Sequence, residues 1–133
     1  VSAPKKIAMV TGGARGIGLA ISEKLAADGC SIIISDILAD AGRDSAARLK
    51  ESGVEVLSVA GDVSNPADVE RMFEESVDKF GAVDILVNNA GITRDNFIVR
   101  IEEKDWDAVM NVNLKGAFLC TKAPSRLRMK KRW

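Results

Sequence analysis

Histidine and tyrosine are both missing from this 133-residue sequence. Without histidine there is no Ser-His-Asp triad, no Cys-His pair and hardly any route to a zinc site. Without tyrosine no phenol is available as a proton donor. The two cysteines, Cys30 and Cys120, are 90 positions apart and fit no metal spacing. They read as small buried hydrophobes in a reducing compartment. Apolar runs such as Ile32–Ile34 are far shorter than the roughly 20 residues that span a bilayer. The N-terminus shows no leader pattern of charged start, apolar run and small-residue site. These absences predict a cytoplasmic protein with no metal centre and no membrane partner.

Hydrophobic residues make up 47% of the chain and charged residues 29%, enough apolar surface for one domain over residues 1–133. Net charge is zero but unevenly spread. All 19 acidic residues precede Lys122, so the first 121 residues carry a net charge of −6. The remainder carries six basic residues and no acid.

Short apolar runs alternate with amphipathic ones. Ile7–Val10 reads as a buried strand running into the turn Thr11-Gly12-Gly13. A helix is predicted from Gly16 to Asp28, with Ile17, Ala20, Ile21 and Leu25 on its apolar face and Gly29 as its stop. Ser31–Ser35 is a second strand, closed by Asp36; a helix over 40–51 ends at Gly53, and Val54–Val59 is a third strand. Asn65 as cap, Pro66 at the first position and Asp68 as capping-box acid announce the next helix. Its face is Val69, Met72, Phe73, Val77 and Phe80, and Gly81 ends it. Asp84–Asn88 is a fourth strand, followed by a loop and a long helix from Lys104 toward Lys131 that Pro124 kinks or divides. Strand–helix alternation with short connections predicts an α/β fold: a Rossmann-type, doubly wound parallel sheet with helices on both faces.

The turn Gly12-Gly13-Ala14-Arg15-Gly16-Ile17-Gly18 lies where the first strand enters the first helix. Free N–H groups and the helix dipole favour an anion there, and glycines let a diphosphate approach the backbone. The Gly-x-x-x-Gly-x-Gly spacing differs from the more common Gly-x-Gly-x-x-Gly, and a glycine cluster alone is also what any tight turn uses. Asp36 adds context, standing 18 positions after Gly18 at the end of the second strand. An acid there accepts hydrogen bonds from an adenosine ribose, or else caps the helix that follows. Against a 2′-phosphate it would repel by roughly 4 kcal/mol at about 4 Å and an effective dielectric near 20. Arg15 pulls the other way, but NAD is favoured over NADP.

Thr11–Gly18 together with Asn88-Asn89-Ala90-Gly91 resembles the paired signatures of the short-chain dehydrogenase/reductase family, over essentially the whole chain. Gly91–Asn96 followed by Asp105-Trp106-Asp107 looks most like its 3-oxoacyl-[acyl-carrier-protein] reductase branch, with sugar and polyol dehydrogenases as rivals. The resemblance implies that Gly12 through Gly18 bind the pyrophosphate and that Asp36 with Ile37 holds the adenosine ribose. Asp62 and Val63 would contact adenine. Asn89, Ala90 and Gly91 would line the nicotinamide-side ribose and steady the sheet, although Asn-Asn-Ala-Gly also suits a plain strand-end turn. Asn113 matches the family's helix asparagine, which holds a water of the proton relay; satisfying a neighbouring backbone group is the alternative.

The family's serine, tyrosine and lysine of catalysis are implied to lie beyond the equivalent of Trp133. The chain is therefore expected to bind cofactor without turning over alone; a piece of a chain about twice as long is the favoured explanation, with a second chain covering the open edge or a marginally stable piece as alternatives. The fourth strand and the inner face of the long helix are expected to stay uncovered. The basic tail of Arg126, Arg128, Lys130, Lys131 and Arg132 reads as a solvated helix end, or as a dock for an acidic acyl carrier protein with Arg132 the chosen residue. Nucleic acid is not an expected partner, because only Trp133 accompanies the charges as a stacking residue. A homo-oligomer is expected for the full-length parent. A non-catalytic nucleotide-binding module and an interaction piece using the exposed helix and tail are the remaining alternatives.

Overall fold

The computed structural model describes residues 4–132; Val1, Ser2, Ala3 and Trp133, the aromatic beside the basic tail, lie outside the described residues. Strands β1 (Ile7–Thr11), β2 (Ser31–Asp36), β3 (Val56–Ala60) and β4 (Ile85–Val87) alternate with helices α1 (Gly16–Ala27), α2 (Ala39–Lys50) and α3 (Pro66–Phe80). The sheet is parallel, ordered β3-β2-β1-β4. Its register places Ala8 beside both Ile32 and Ile85, and Ile32 beside Val56. All six residues of β2 are buried, as a central parallel strand requires when helices cover both faces.

Alternation along the strands sends neighbouring residues to opposite layers. Ala8, Ile32 and Ile34 pack with Ala26, Ala46 and Leu49 of α1 and α2. Met9, Ile33 and Val59 pack with Met72, Phe73 and Val77 of α3 and with Cys120. Phe73 and Met72 are fully buried, each worth roughly 1.5–3 kcal/mol of burial. Both cysteines are free and buried, and burial pushes the Cys120 thiol up to about 11.

Three expectations need correction. The buried face of α1 is Gly18, Ser22 and Ala26, whereas Ile17 is 76% exposed, Ala20 is exposed, and Ile21 and Leu25 are half-buried. Small side chains let this helix press closer to β1 than a stripe of large ones would allow.

Asp68 does not complete a capping box. Its carboxylate accepts the Asp62 N–H at 2.9 Å, while the Asn65 N–H is already taken by the Asp62 carbonyl. The Asn65 side chain does cap α3, accepting from Ala67 N at 2.9 Å and Asp68 N at 3.3 Å.

The last helix is interrupted, but not at Pro124. Helix α4 (Glu103–Val109) passes into a π-helical segment, Met110–Lys115, and then α5 (Gly116–Lys131), which runs through Pro124. The widened turn surrounds Asn113, whose amide is engaged outside the helix.

β4 pairs only with β1, and its three residues are half-buried. Phe97, Ile98, Val99, Trp106, Leu114 and Phe118, all after β4 in the chain, are exposed. Among the described residues no helix is long and apolar enough to cross a membrane.

Replacing Asn65 with alanine removes the acceptor for two N–H groups at the start of α3. The expected loss is about 1 kcal/mol of unfolding free energy, read from urea denaturation. An unchanged midpoint would count against this cap.

Candidate functional site

From β1 the chain builds outward through β2 and β3, then returns to place β4 on the other flank of β1. At such a reversal the connections after β1 and β4 leave in opposite directions and a crevice opens at the carboxyl ends of the strands. A cleft of about 370 Å³ lies there, walled by Gly12, Arg15, Gly16, Asp36, Ile37, Asp62, Val63, Asn89, Ala90 and Gly91. Ten residues singled out in the sequence thus come together from four separate strand ends. Gly13, Ala14 and Gly18 are buried beneath the turn, and Ile17 projects away from it into solvent.

The turn is shaped by close approach. Gly12 has φ +63°, a left-handed conformation that suits glycine. A Cβ on Gly18 would stand 2.0 Å from the Gly12 carbonyl oxygen and 2.5 Å from Asn89 Nδ2. Only a residue without a side chain lets α1 begin directly behind the turn. The Leu19 N–H is the first to be taken up in α1, by the Arg15 carbonyl at 3.1 Å. No protein acceptor meets the N–H groups of Gly16, Ile17 and Gly18 among the described residues. No side chain caps this helix, and its first turn holds no acid. By contrast α3 carries both a cap and an acid. The open α1 terminus therefore fits an anion such as a diphosphate, and the position a Gly16 Cβ would take has nothing within 4 Å.

Asp36 is 8% exposed, and each carboxylate oxygen accepts one backbone N–H: Oδ2 from Ala14 at 3.2 Å and Oδ1 from Leu38 at 3.0 Å. Each oxygen keeps a further lone pair for a ligand hydroxyl. The same side chain thus ties the turn to the β2 end while walling the cleft. Asp62 accepts from Ser64 N and Ser64 Oγ, at 2.9 and 2.7 Å, which braces the loop after β3. Arg15 makes no ion pair among the described residues, so the cleft holds one cation opposite two carboxylates.

Asn89 steadies the crevice. Its Nδ2 donates to the carbonyls of Thr11 and Gly12, at 3.1 and 3.2 Å, bridging the ends of β4 and β1. Asn113 is exposed, yet its Oδ1 accepts Ile92 N at 2.8 Å and its Nδ2 donates to Ile92 O at 2.9 Å. Both arms of the amide are spent on one backbone residue of the cleft wall.

Sequence reasoning passed over Ser35, Gly61, Ile92 and Val112, which also line the cleft. It also passed over Thr11, whose Oγ1 accepts the N–H groups of Asn89 and Ala90, each at 3.0 Å. Thr11 was legible as the residue where a strand meets a glycine turn; Ile92 and Val112 carry no local signal. A larger groove of about 520 Å³ between α1 and α2 is walled by Leu19, Glu23, Arg48 and Leu49 among others, and no free helix amides face it. Arg132 closes α5 in a left-handed conformation, and the other basic residues of the tail are exposed, with Lys131 3.8 Å from Asp78. Among the described residues no three His, Cys, Asp or Glu side chains gather as metal ligands would.

The short chain dehydrogenase family model matches residues 6–133. A 3-oxoacyl-[acyl-carrier-protein] reductase of Synechocystis sp. is 41% identical over 128 residues, 96% of this chain and 52% of that protein. A (2S)-[(R)-hydroxy(phenyl)methyl]succinyl-CoA dehydrogenase subunit of Thauera aromatica is 41% identical over 118 residues, 89% of this chain and 48% of its own length. The crystal structure of an NAD+-bound xylitol dehydrogenase superposes with a TM-score of 0.89 at 32% identity, covering 96% of this chain and 50% of that one. The chain spans about half the length of the curated relatives it matches.

A methyl group at residue 18 has the Gly12 backbone in its way as well as the Asn89 side chain. Gly18→Ala is expected to lower stability by about 2 kcal/mol in urea titration, because α1 must retreat from the turn. A variant as stable as the wild type would refute the close packing.

Proposed function

The chain belongs to the short-chain dehydrogenase family, and on that premise we propose that it is the cofactor-binding part of a nicotinamide-dependent oxidoreductase. The observation that carries this reading is the uncapped start of α1, which opens beside a cleft walled by Asp36, Asp62 and Asn89–Gly91. The N–H groups of the α1 turn would hold the diphosphate. Asp36 would accept the adenosine ribose hydroxyls, with Ile37 and Val63 as apolar walls and Asp62 beside the adenine. Ala90 and Gly91 would line the nicotinamide-side ribose, held in place by Asn89 below and by the Asn113–Ile92 pair above.

A bound nicotinamide would supply a hydride to a carbonyl carbon or take one from an alcohol carbon. This chain's residues bind, orient and exclude water. The titratable side chains in the cleft are Arg15, Asp36 and Asp62, all on the β1–β3 side. None of them belongs to the connection after β4 that carries Ala90 and Gly91, and the sequence holds no tyrosine. On this reading the chain binds cofactor without catalysing turnover by itself. Asn113, with its amide committed to Ile92, supports the reaction by shaping the cleft wall.

For the parent enzyme we propose reduction of a 3-oxoacyl thioester on acyl carrier protein, supported by the likeness to the Synechocystis reductase. Arg132 and the basic end of α5 would then meet an acidic carrier. A polyol-acting parent is the second reading, supported by the likeness to the xylitol dehydrogenase. Cytoplasmic location and a homo-oligomeric parent belong to the same proposal.

NAD is the proposed cofactor, because a 2′-phosphate beside Asp36 would meet a carboxylate with few solvent neighbours. Fluorescence titration should find NADH bound about tenfold or more tighter than NADPH. Asp36→Asn keeps an acceptor for one N–H and removes the charge, and should narrow that gap. Equal affinities in the wild type would overturn the choice of NAD, and binding of neither would overturn the cofactor site.

A further inference from the structure

We infer that Ser45, in α2 and outside the cleft, is a positioning residue for the diphosphate: it holds the Ala14 carbonyl and so turns the Arg15 N–H outward. The inference rests on the cofactor reading above and goes beyond it, because Ser45 itself touches no ligand.

Ser45 is 2% exposed, and its hydroxyl donates to the Ala14 carbonyl at 2.6 Å across 31 positions of sequence. The peptide joining Ala14 to Arg15 is trans, like every other in the described chain. In a trans peptide the C=O and the N–H point in opposite directions. With the Ala14 carbonyl drawn toward α2, the Arg15 N–H must point away from α2. That N–H finds no acceptor among the described residues, whereas its neighbours in the turn do: Gly13 N donates to Ser35 O and Ala14 N to Asp36 Oδ2.

The turn is therefore sorted peptide by peptide. The Gly12 carbonyl is held by Asn89, which directs the Gly13 N–H into the sheet; the Ala14 carbonyl is held by Ser45, which directs the Arg15 N–H out of it. Arg15 and Gly16 both wall the cleft, and the free N–H groups of Gly16, Ile17 and Gly18 follow directly. Ser45 thus adds one donor to the anion site while α2 carries the cost of burying the hydroxyl. Pre-set donors bind a charged ligand better than a peptide free to rotate, since no ordering is left to do on binding.

The test uses the 133-residue protein with NADH as probe, Ser45→Ala as the variant and Ser76→Ala as control. Ser76 is fully buried too, but its hydroxyl serves the Met72 carbonyl of its own helix at 2.7 Å, far from the turn. Both variants are expected to melt at a lower temperature than the wild type. Only Ser45→Ala should weaken NADH binding, by about tenfold. In the wild type the Arg15 amide resonance should move downfield and gain exchange protection as NADH is added. If Ser45→Ala does not fold, that amide still decides the matter.

Wild-type protein that binds NADH with an unmoved Arg15 amide, or a folded Ser45→Ala with wild-type affinity, overturns the role of Ser45 and leaves the cofactor reading standing. Wild-type protein that binds no NADH overturns both.

Discussion

The near-contact of α1 with the turn that precedes it is the constraint on which the rest of the structure depends. Gly18 stands against the Gly12 carbonyl with no room for a methyl group between them. Because the two are this close, α1 starts at the mouth of β1 and not a turn later, with the N–H groups of its first residues left free of protein acceptors. The small face of α1, Gly18, Ser22 and Ala26, extends the same closeness down the helix. Asn89 and Thr11 then fasten the end of β4 to the same turn.

Several backbone amides and carbonyls around the cleft are fixed in direction. They are aimed by side chains that spend their own polar atoms on the backbone: Asp36 on Ala14 and Leu38, Ser45 on Ala14, Asn89 on Thr11 and Gly12, Asn113 on Ile92. A frame of this kind is stiff, and a stiff set of donors does not have to reorganise around an incoming charge. Two carboxylates in the cleft against one arginine give its walls a net negative character away from the helix terminus. That contrast suits a ligand with an anionic middle and neutral, hydroxyl-rich ends.

The opposite flank is built differently. β4 has one partner, and the segment from Phe97 through Phe118 leaves several large apolar side chains in solvent. The relatives that share this part of the fold are about twice as long.

The order of strands and helices was legible in the sequence alone, since it follows from local signals: β-branched runs, glycine stops, and the Asn65-Pro66 start of α3. The glycine turn and the place of Asp36 at the end of β2 were legible for the same reason, as each is a short motif at a strand end. What the sequence could not give was which side chains would spend their polar atoms where. Ile17 looked like core from its spacing, but the depth of α1 is set by Gly18 meeting Gly12, two residues that touch only once the turn has closed. Asp68 looked like a cap until a loop six residues upstream took its carboxylate. Pro124 looked like the break in the last helix; the break falls at Met110–Lys115, around Asn113, whose side chain bonds Ile92, 21 positions away. Local chemistry determined the elements and where the cleft would open. Tertiary contact decided how Asp36 meets Ala14 and how Ser45, Asn89 and Asn113 are satisfied, because hydrogen-bond partners far apart in sequence leave no trace in the residues around either one.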